Sequence, residues 1–363
     1  MERRRSALVA ALAISGSLVV ACGGNGGNGG DGGGGNAGAS SAPAKPIIGV
    51  DYPRSDTDFW NSYISYVPKT ADELGVELKT TNSQNDIAKL TANVQTLVGQ
   101  GVRGVVMAPQ DTAAVAPTLQ QLESKKIPAV LVDTRPDTGN AFMVVRADNR
   151  AYGEKACRFL GEKLQGKGKV IMLQGDLASI NGRDRTEAFN ECMQKNYAGI
   201  KVFGEATKWD GAIAAQKLST VLTANPDLKG VYMQSSFALA GTLQVLKQRD
   251  LLVPPTDAKH VFVVSNDGIP QELKEIAAGN IDATVSQPAD LYAKWALSYA
   301  QAAVEGKTFQ PGKTDHDSTI IEVRPGLLED QLSAPLVTSD GGTYGGISSL
   351  KSDDKSLWGN NLS

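Results

Sequence analysis

The chain has 363 residues, of which 41% are apolar and 21% charged, with 36 Lys and Arg against 39 Asp and Glu. That length exceeds a single hydrophobic core and predicts two domains. A net charge of -3 excludes nucleic acid as the main partner.

Arg3, Arg4 and Arg5 precede an apolar run from Ala7 to Val20, the plan of a secretory signal and too short for a comfortable membrane span. Val19-Val20-Ala21-Cys22 closes it and resembles the lipobox of bacterial lipoproteins, which implies a signal peptide over residues 1–21 and lipidation of Cys22. Gly23 to Ser41 is almost entirely Gly, Asn, Ala and Ser, so residues 22–45 are expected to be a flexible tether. Such a coil reaches roughly 25 Å, enough to hold a globular domain off a bilayer. The expected address is the outer face of the cytoplasmic membrane, or the periplasm. That compartment permits disulfides, and Cys157 and Cys192 fall on successive predicted helices. A bond between them is expected over two buried thiols, although sequence does not supply the Cα separation.

From Pro46 onward strands and helices alternate. Ile47–Val50 reads as a strand, Trp60–Leu74 as a helix and Val76–Thr80 as a strand; Asp86 starts a helix striped by Leu90, Val94, Leu97 and Val98 and ended by Gly99 and Gly101. Strands follow at Val102–Met107 and Ile127–Val132, the latter ending at Asp133, with a helix through Val115, Leu119 and Leu122 between them and an edge strand at Phe142–Val145. The rhythm restarts after Asp148-Asn149. Helices at Tyr152–Leu164, Asp184–Lys195, Gly211–Leu222 and Leu239–Gln248 alternate with strands at Lys169–Leu173, Ile200–Glu205 and Gly230–Met233. This predicts two doubly wound parallel-sheet lobes.

Val261 to Gln287 is one complete unit. A buried strand, Val261–Val264, delivers Ser265, Asn266 and Asp267; a short helix follows, stopping at Gly279-Asn280, and a second strand, Ala283–Val285, delivers Gln287. Ligands of open α/β sheets bind beyond the carboxyl ends of strands, which puts Asp267 and Gln287 in a candidate site, with helix capping as the alternative role of Asp267. After a helix at Ala293–Val304 and a strand at Ser318–Val323, the polar tail from Ser339 to Ser363 is expected to drape over the surface. The lobes are expected to comprise 46–147 with about 288–318, and 148–287 with about 319–338.

Asn82-Ser83-Gln84-Asn85-Asp86, Val105-Val106-Met107-Ala108-Pro109-Gln110-Asp111, Ala147-Asp148-Asn149, Asn266-Asp267-Gly268 and Ala283-Thr284-Val285-Ser286-Gln287 together resemble the ribose-binding-protein family. These are type I periplasmic sugar-binding proteins of ABC transporters, and the likeness runs from about Pro46 to Val323. It implies two lobes joined by a three-strand hinge, closing over one monosaccharide or sugar alcohol, with permease subunits as partners and the protein itself a monomer. By that resemblance Phe59 and Trp60 stack on the sugar from the first lobe and Trp209 from the second. Asp133, Arg183, Asp267 and Gln287 bond its hydroxyl rim, and Asp58, Asp148, Asn149, Ser235 and Phe237 lie nearby. Charged hydrogen bonds of this kind contribute roughly 1.5–3 kcal/mol each. Ala108 and Ser235-Ser236 stand where ribose binders carry Asn and Asn-Asp, and Thr134-Arg135 replaces Asp-Arg, shifting Arg135 out of the pocket. These departures favour another pentose, a hexose or a polyol over ribose.

Enzymatic readings have little support. There is no Gly-x-Ser-x-Gly elbow and no Walker loop. His260 precedes a strand, and the loop Asp315-His316-Asp317 has no companion ligands, so neither metal nor cofactor is expected. A glycosidase pairing Asp133 with Asp267 is the enzyme rival. Within the same fold, a sensor subunit or a receptor for nucleosides or a signalling furanone is the alternative; a regulator of the LacI type is excluded by the secretion signal.

Overall fold

The computed structural model describes residues 45–362. The leader, Cys22 and most of the tether lie outside the described residues.

The first lobe is built from β1 (Ile47–Tyr52), α1 (Asp58–Leu74), β2 (Glu77–Asn82), α2 (Ile87–Gly99), β3 (Gly104–Met107), α3 (Ala116–Ser124), β4 (Ala129–Val132) and β5 (Met143–Ala147). β3, β4 and β5 are buried at every position, as parallel strands covered on both faces must be. β5 is not the edge expected from its sequence, because it sits between β4 and a strand from far down the chain.

The second lobe repeats the plan with α4 (Asn149–Lys163), β6 (Lys167–Gln174), α5 (Ile180–Asn196), β7 (Gly199–Ala206), α6 (Gly211–Ala224), β8 (Gly230–Met233), α7 (Leu239–Gln248), β9 (Phe262–Asp267), α8 (Pro270–Ala278) and β10 (Ala283–Ser286). Gly153 lets α4 and α5 approach closely: a Cβ there would stand 2.4 Å from the Arg185 carbonyl oxygen and 2.7 Å from the Phe189 nitrogen. One turn further along the same face, Cys157 and Cys192 are joined as a disulfide, their Cα atoms 6.2 Å apart.

The chain then returns to the first lobe. α9 (Ala289–Val304) packs on α1 and on the first sheet, and β11 (Gly312–Lys313), β12 (Thr319–Arg324) and β13 (Leu327–Leu332) extend that sheet to the order β11-β12-β13-β5-β4-β3-β1-β2. A last crossing carries β14 (Leu336–Thr338), β15 (Thr343–Tyr344) and β16 (Ile347–Lys351) into the second sheet, ordered β15-β16-β14-β10-β9-β8-β6-β7. The chain therefore passes between sheets three times, after β5, β10 and β13.

Two expectations are corrected here. Residues 319–332 belong to the first lobe, not the second, because β13 pairs in parallel with β5. The polar tail is not surface drapery: β14 and β16 pair beside β10, and Trp358 is buried with its ring against Phe59 at 6.1 Å and its Nε1 donating to the Asp267 carbonyl at 3.2 Å. β13 escaped notice because its LLEDQL carries two carboxylates into the interior. Glu329 is held there by Arg135 and Arg146, and Asp330 by His316, Tyr299 and Ser318.

Candidate functional site

The carboxyl ends of eight strands converge on one cleft between the lobes. The turn after β1 supplies Arg54 and Thr57; Thr57 caps α1, which sets Phe59 and Trp60 in its first turn facing inward. Gln110 follows β3, Asp133 follows β4, and α5, after β6, supplies Asn181 and Arg185. The loop after β7 presents Trp209, the turn after β8 presents Ser235 and Phe237, and β9 and β10 end at Asp267 and Gln287.

Aromatic edges make the walls. Phe59 and Trp60 meet at 5.2 Å and 77°, Trp209 and Phe237 at 5.8 Å and 89°. Trp209 packs on a bare backbone, since a Cβ on Gly175 would overlap its ring. Asp133, Trp209 and Asp267 take left-handed or positive φ values of 66°, 57° and 121°. Such conformations are uncommon for residues with a Cβ and gather at sites where the surroundings enforce them.

The polar groups are held from behind. Arg185 donates Nε to Asn149 Oδ1 at 2.6 Å, Nη2 to Gln287 Oε1 at 2.7 Å and Nη1 to the Gln234 carbonyl, and its guanidinium lies 4.8 Å from the Tyr152 ring and 5.7 Å from that of Trp209. Three of its five N–H donors are thereby used, leaving two for the cleft. Asp267 Oδ2 accepts from the Ser235 hydroxyl at 2.6 Å, the Ser236 hydroxyl at 2.7 Å and the Ser236 amide at 2.8 Å. The two serines thus fix this carboxylate through one oxygen, and Asp267 lines the cleft. Asp267 does not cap α8; that role falls to Glu272, which takes the Gly268 and Ile269 amides. Asp133 Oδ2 accepts from Asn181 at 2.9 Å, while Asp133 Oδ1 and Trp209 Nε1 are buried with no hydrogen-bond partner among the described residues.

Burial pushes the Asp133 carboxyl up to about 6 against the opposing pull of Arg185 and Arg146. Burial also raises Asp267, with Arg185 and the serines pulling the other way, and raises Glu272 to about 8 with Asp267 adding to the effect.

Of the residues singled out from sequence, Phe59, Trp60, Asp133, Trp209, Ser235, Phe237, Asp267 and Gln287 come together in this cleft. Arg183 does not. Two positions along a helix lie roughly 200° apart, so Arg183 points away from the cleft that Arg185 faces. It bonds instead to Asp137 and Thr112 of the first lobe and to the carbonyls of Leu177 and Ala178. Asp148 is an exposed cap of α4, Asn149 is buried behind Arg185, and Asp58 faces a neighbouring groove. Arg135 pairs with Glu329. Arg54, Thr57, Gln110, Asn181 and Arg185 were missed; the strand-end rule pointed to Arg54, Thr57 and Gln110, whereas Asn181 and Arg185 lie within α5. Gln110 also places an amide beside Ala108, whose carbonyl accepts from it at 3.3 Å.

Across the rim, Thr112 N–H and Oγ1 both donate to the Ala178 carbonyl, beside the Arg183 to Asp137 pair. With the lobes so joined, the enclosed space is about 40 Å³, room for about three water molecules. A ligand of a dozen heavy atoms enters only when the lobes part. Among the described residues no group of three or more His, Cys, Asp or Glu side chains could hold a metal, and no helix is long and apolar enough to cross a membrane.

A profile of the family described as periplasmic binding protein domain matches residues 48–308. The chain belongs to that family. This binding protein is 27% identical over 267 residues to the ribose import binding protein of Salmonella typhimurium, covering 74% of this chain and 88% of that one. It is 26% identical over 263 residues to the xylitol-binding protein of Mycolicibacterium smegmatis, covering 72% and 71%. A solved ABC transporter solute binding protein from Mycobacterium smegmatis, with bound glycerol, superposes with a TM-score of 0.68 at 28% identity over 74% of this chain and 91% of that chain. The two α/β lobes are those of the type I periplasmic binding protein fold.

Proposed function

We propose that the protein is the solute-binding subunit of an ABC importer, capturing one monosaccharide or sugar alcohol between its lobes and delivering it to a membrane permease. The observation that carries this is the pairing of two buried, unpartnered polar atoms, Asp133 Oδ1 and Trp209 Nε1, with facing aromatic walls. A pyranose or polyol offers C–H faces to such rings and a hydroxyl rim that both donates and accepts. Phe59, Trp60, Trp209 and Phe237 stack on it; Asp133, Asp267, Arg185 and Gln287 bond its hydroxyls, with Arg185 in the place first assigned to Arg183. Relatives named for ribose, xylitol and allose support a small polyhydroxylated ligand. Ala108 and the engagement of Ser235 with Asp267 favour one other than ribose.

The protein acts by binding and does not turn its ligand over. Lipidated at Cys22, it works as a monomer at the outer face of the membrane, and only its closed form presents both lobe surfaces to the permease. A thermal-shift panel of pentoses, hexoses, polyols, nucleosides and amino acids tests this. A ligand at a thousandfold excess over its Kd adds about 4.1 kcal/mol, a shift of several degrees. A sugar or polyol hit is expected; hits confined to nucleosides or amino acids would overturn the reading.

A further inference from the structure

Beside the inner space lies a second chamber of about 500 Å³, also formed by both lobes. The two share Arg54, Thr57, Trp209 and Phe237, the side chains that stand between them. The outer chamber has an apolar floor of Phe237, Leu239, Leu243 and Ile269. Leu239 and Ile269 are buried, and charged groups, Asp56, Asp58 and Asp210, stand at its exposed rim. Arg54 is committed at that boundary by a two-pronged pair with Asp56, one arm 2.8 Å long.

This chamber is not slack awaiting further closure. The Thr112 to Ala178 and Arg183 to Asp137 bonds already tie the lobes at the opposite rim, and the inner space is down to about 40 Å³. When the lobes part enough to admit a ligand, separation of Trp209 from Arg54 joins this chamber to the inner space, and its floor suits an apolar group.

We propose that the outer chamber is a subsite for an aromatic or short-alkyl substituent linked through oxygen to the sugar ring, so that the protein takes glycosides as well as, or in preference to, free sugars. This rests on the sugar-binding function proposed above. The polar ring sits among Asp133, Arg185 and Asp267, the linking oxygen passes between Trp209 and Arg54, and the substituent covers Leu239 and Leu243. Burial of the substituent adds affinity that the inner groups cannot supply.

Calorimetric titration of the mature protein decides it. The probes are D-glucose, D-galactose, D-xylose and L-arabinose, each as the free sugar and as both anomers of its methyl and phenyl glycosides. For at least one sugar, the phenyl glycoside of one anomer is expected to bind about tenfold tighter than the free sugar, or ~1.4 kcal/mol. Ala240→Trp, at an exposed position lining the chamber, should erase that advantage while changing free-sugar affinity less than threefold. Its melting midpoint confirms that it folds, and Ala240→Gln, which leaves the chamber open, should retain the advantage. Free sugars that bind while every glycoside binds more weakly would overturn the subsite and leave the sugar-binding function standing. Silence from free sugars and glycosides alike would overturn both.

Discussion

Asp133→Asn is expected to stabilise the ligand-free protein at neutral pH while weakening its hold on ligand. Asp133 is buried, its Oδ1 has no hydrogen-bond partner among the described residues, and burial raises its carboxyl from 3.8 to about 6. A value raised in the folded state means that protonation favours the fold: the contribution is complete below pH 3.8 and lost as pH rises through 6. Above that, the ionised carboxylate costs about 3 kcal/mol relative to a neutral group of the same shape. Asparagine tolerates the φ of 66° and can still accept the Asn181 bond through its oxygen. Its unpaired amide returns roughly 1 kcal/mol of that gain, leaving a net of about 2 kcal/mol. Affinity moves the other way, because a charged acceptor worth roughly 1.5–3 kcal/mol to a ligand hydroxyl is lost, a fall of about ten- to 150-fold. Urea unfolding at pH 5 and 7.5 with calorimetric titration of the ligand measures both. Wild type should be the more stable at pH 5 and the variant should lack most of that slope. A variant less stable than wild type at pH 7.5, with affinity intact, would refute both the burial cost and the ligand role.

Three further outcomes follow from the same geometry. Arg183→Ala should leave ligand affinity within a few fold and cost under about 1 kcal/mol of stability, whereas Arg185→Ala should abolish measurable binding by calorimetry, because only Arg185 reaches the cleft. His260 is buried, which alone would lower its value, but its bonds to Asp282 and the Val253 carbonyl outweigh that and raise it above 6.5. The resulting stabilisation is full below pH 6.5 and fades as pH rises through the folded value, so His260→Gln should remove that segment from the denaturation profile between pH 6 and 9. Reducing the Cys157–Cys192 bond, which spans 35 positions, should lower unfolding stability by about 3–4 kcal/mol, read from urea midpoints with and without reductant.

Local signals made the architecture legible. Asp86 before a helical stripe, Gly279 after one, and fully apolar strands such as Val105–Met107 each carry their meaning within a few residues. The strand-end rule likewise located Asp267 and Gln287. What escaped depended on distant partners. Glu329 and Asp330 look like surface residues until Arg135, Arg146, His316 and Tyr299 are brought to them by the fold. Arg183 and Arg185 are indistinguishable by residue type, and the phase of α5 decides which one faces the cleft. Ser235 and Ser236 read as lost anchors, whereas in space they become the clasp that orients Asp267.

Completion of the cleft depends on where Trp358 ends up. The indole near the last residue seats itself beneath Phe59 from the first turn of the first helix and holds the carbonyl of Asp267. β14 and β16, which follow β13 in the chain, likewise return to extend one edge of the second sheet. The cleft is therefore finished only when Trp358 has met Phe59, from the far side of the sequence. Trimming the Trp358 indole away would remove the peg under Phe59 and the Asp267 carbonyl, and with it the support of both cleft walls.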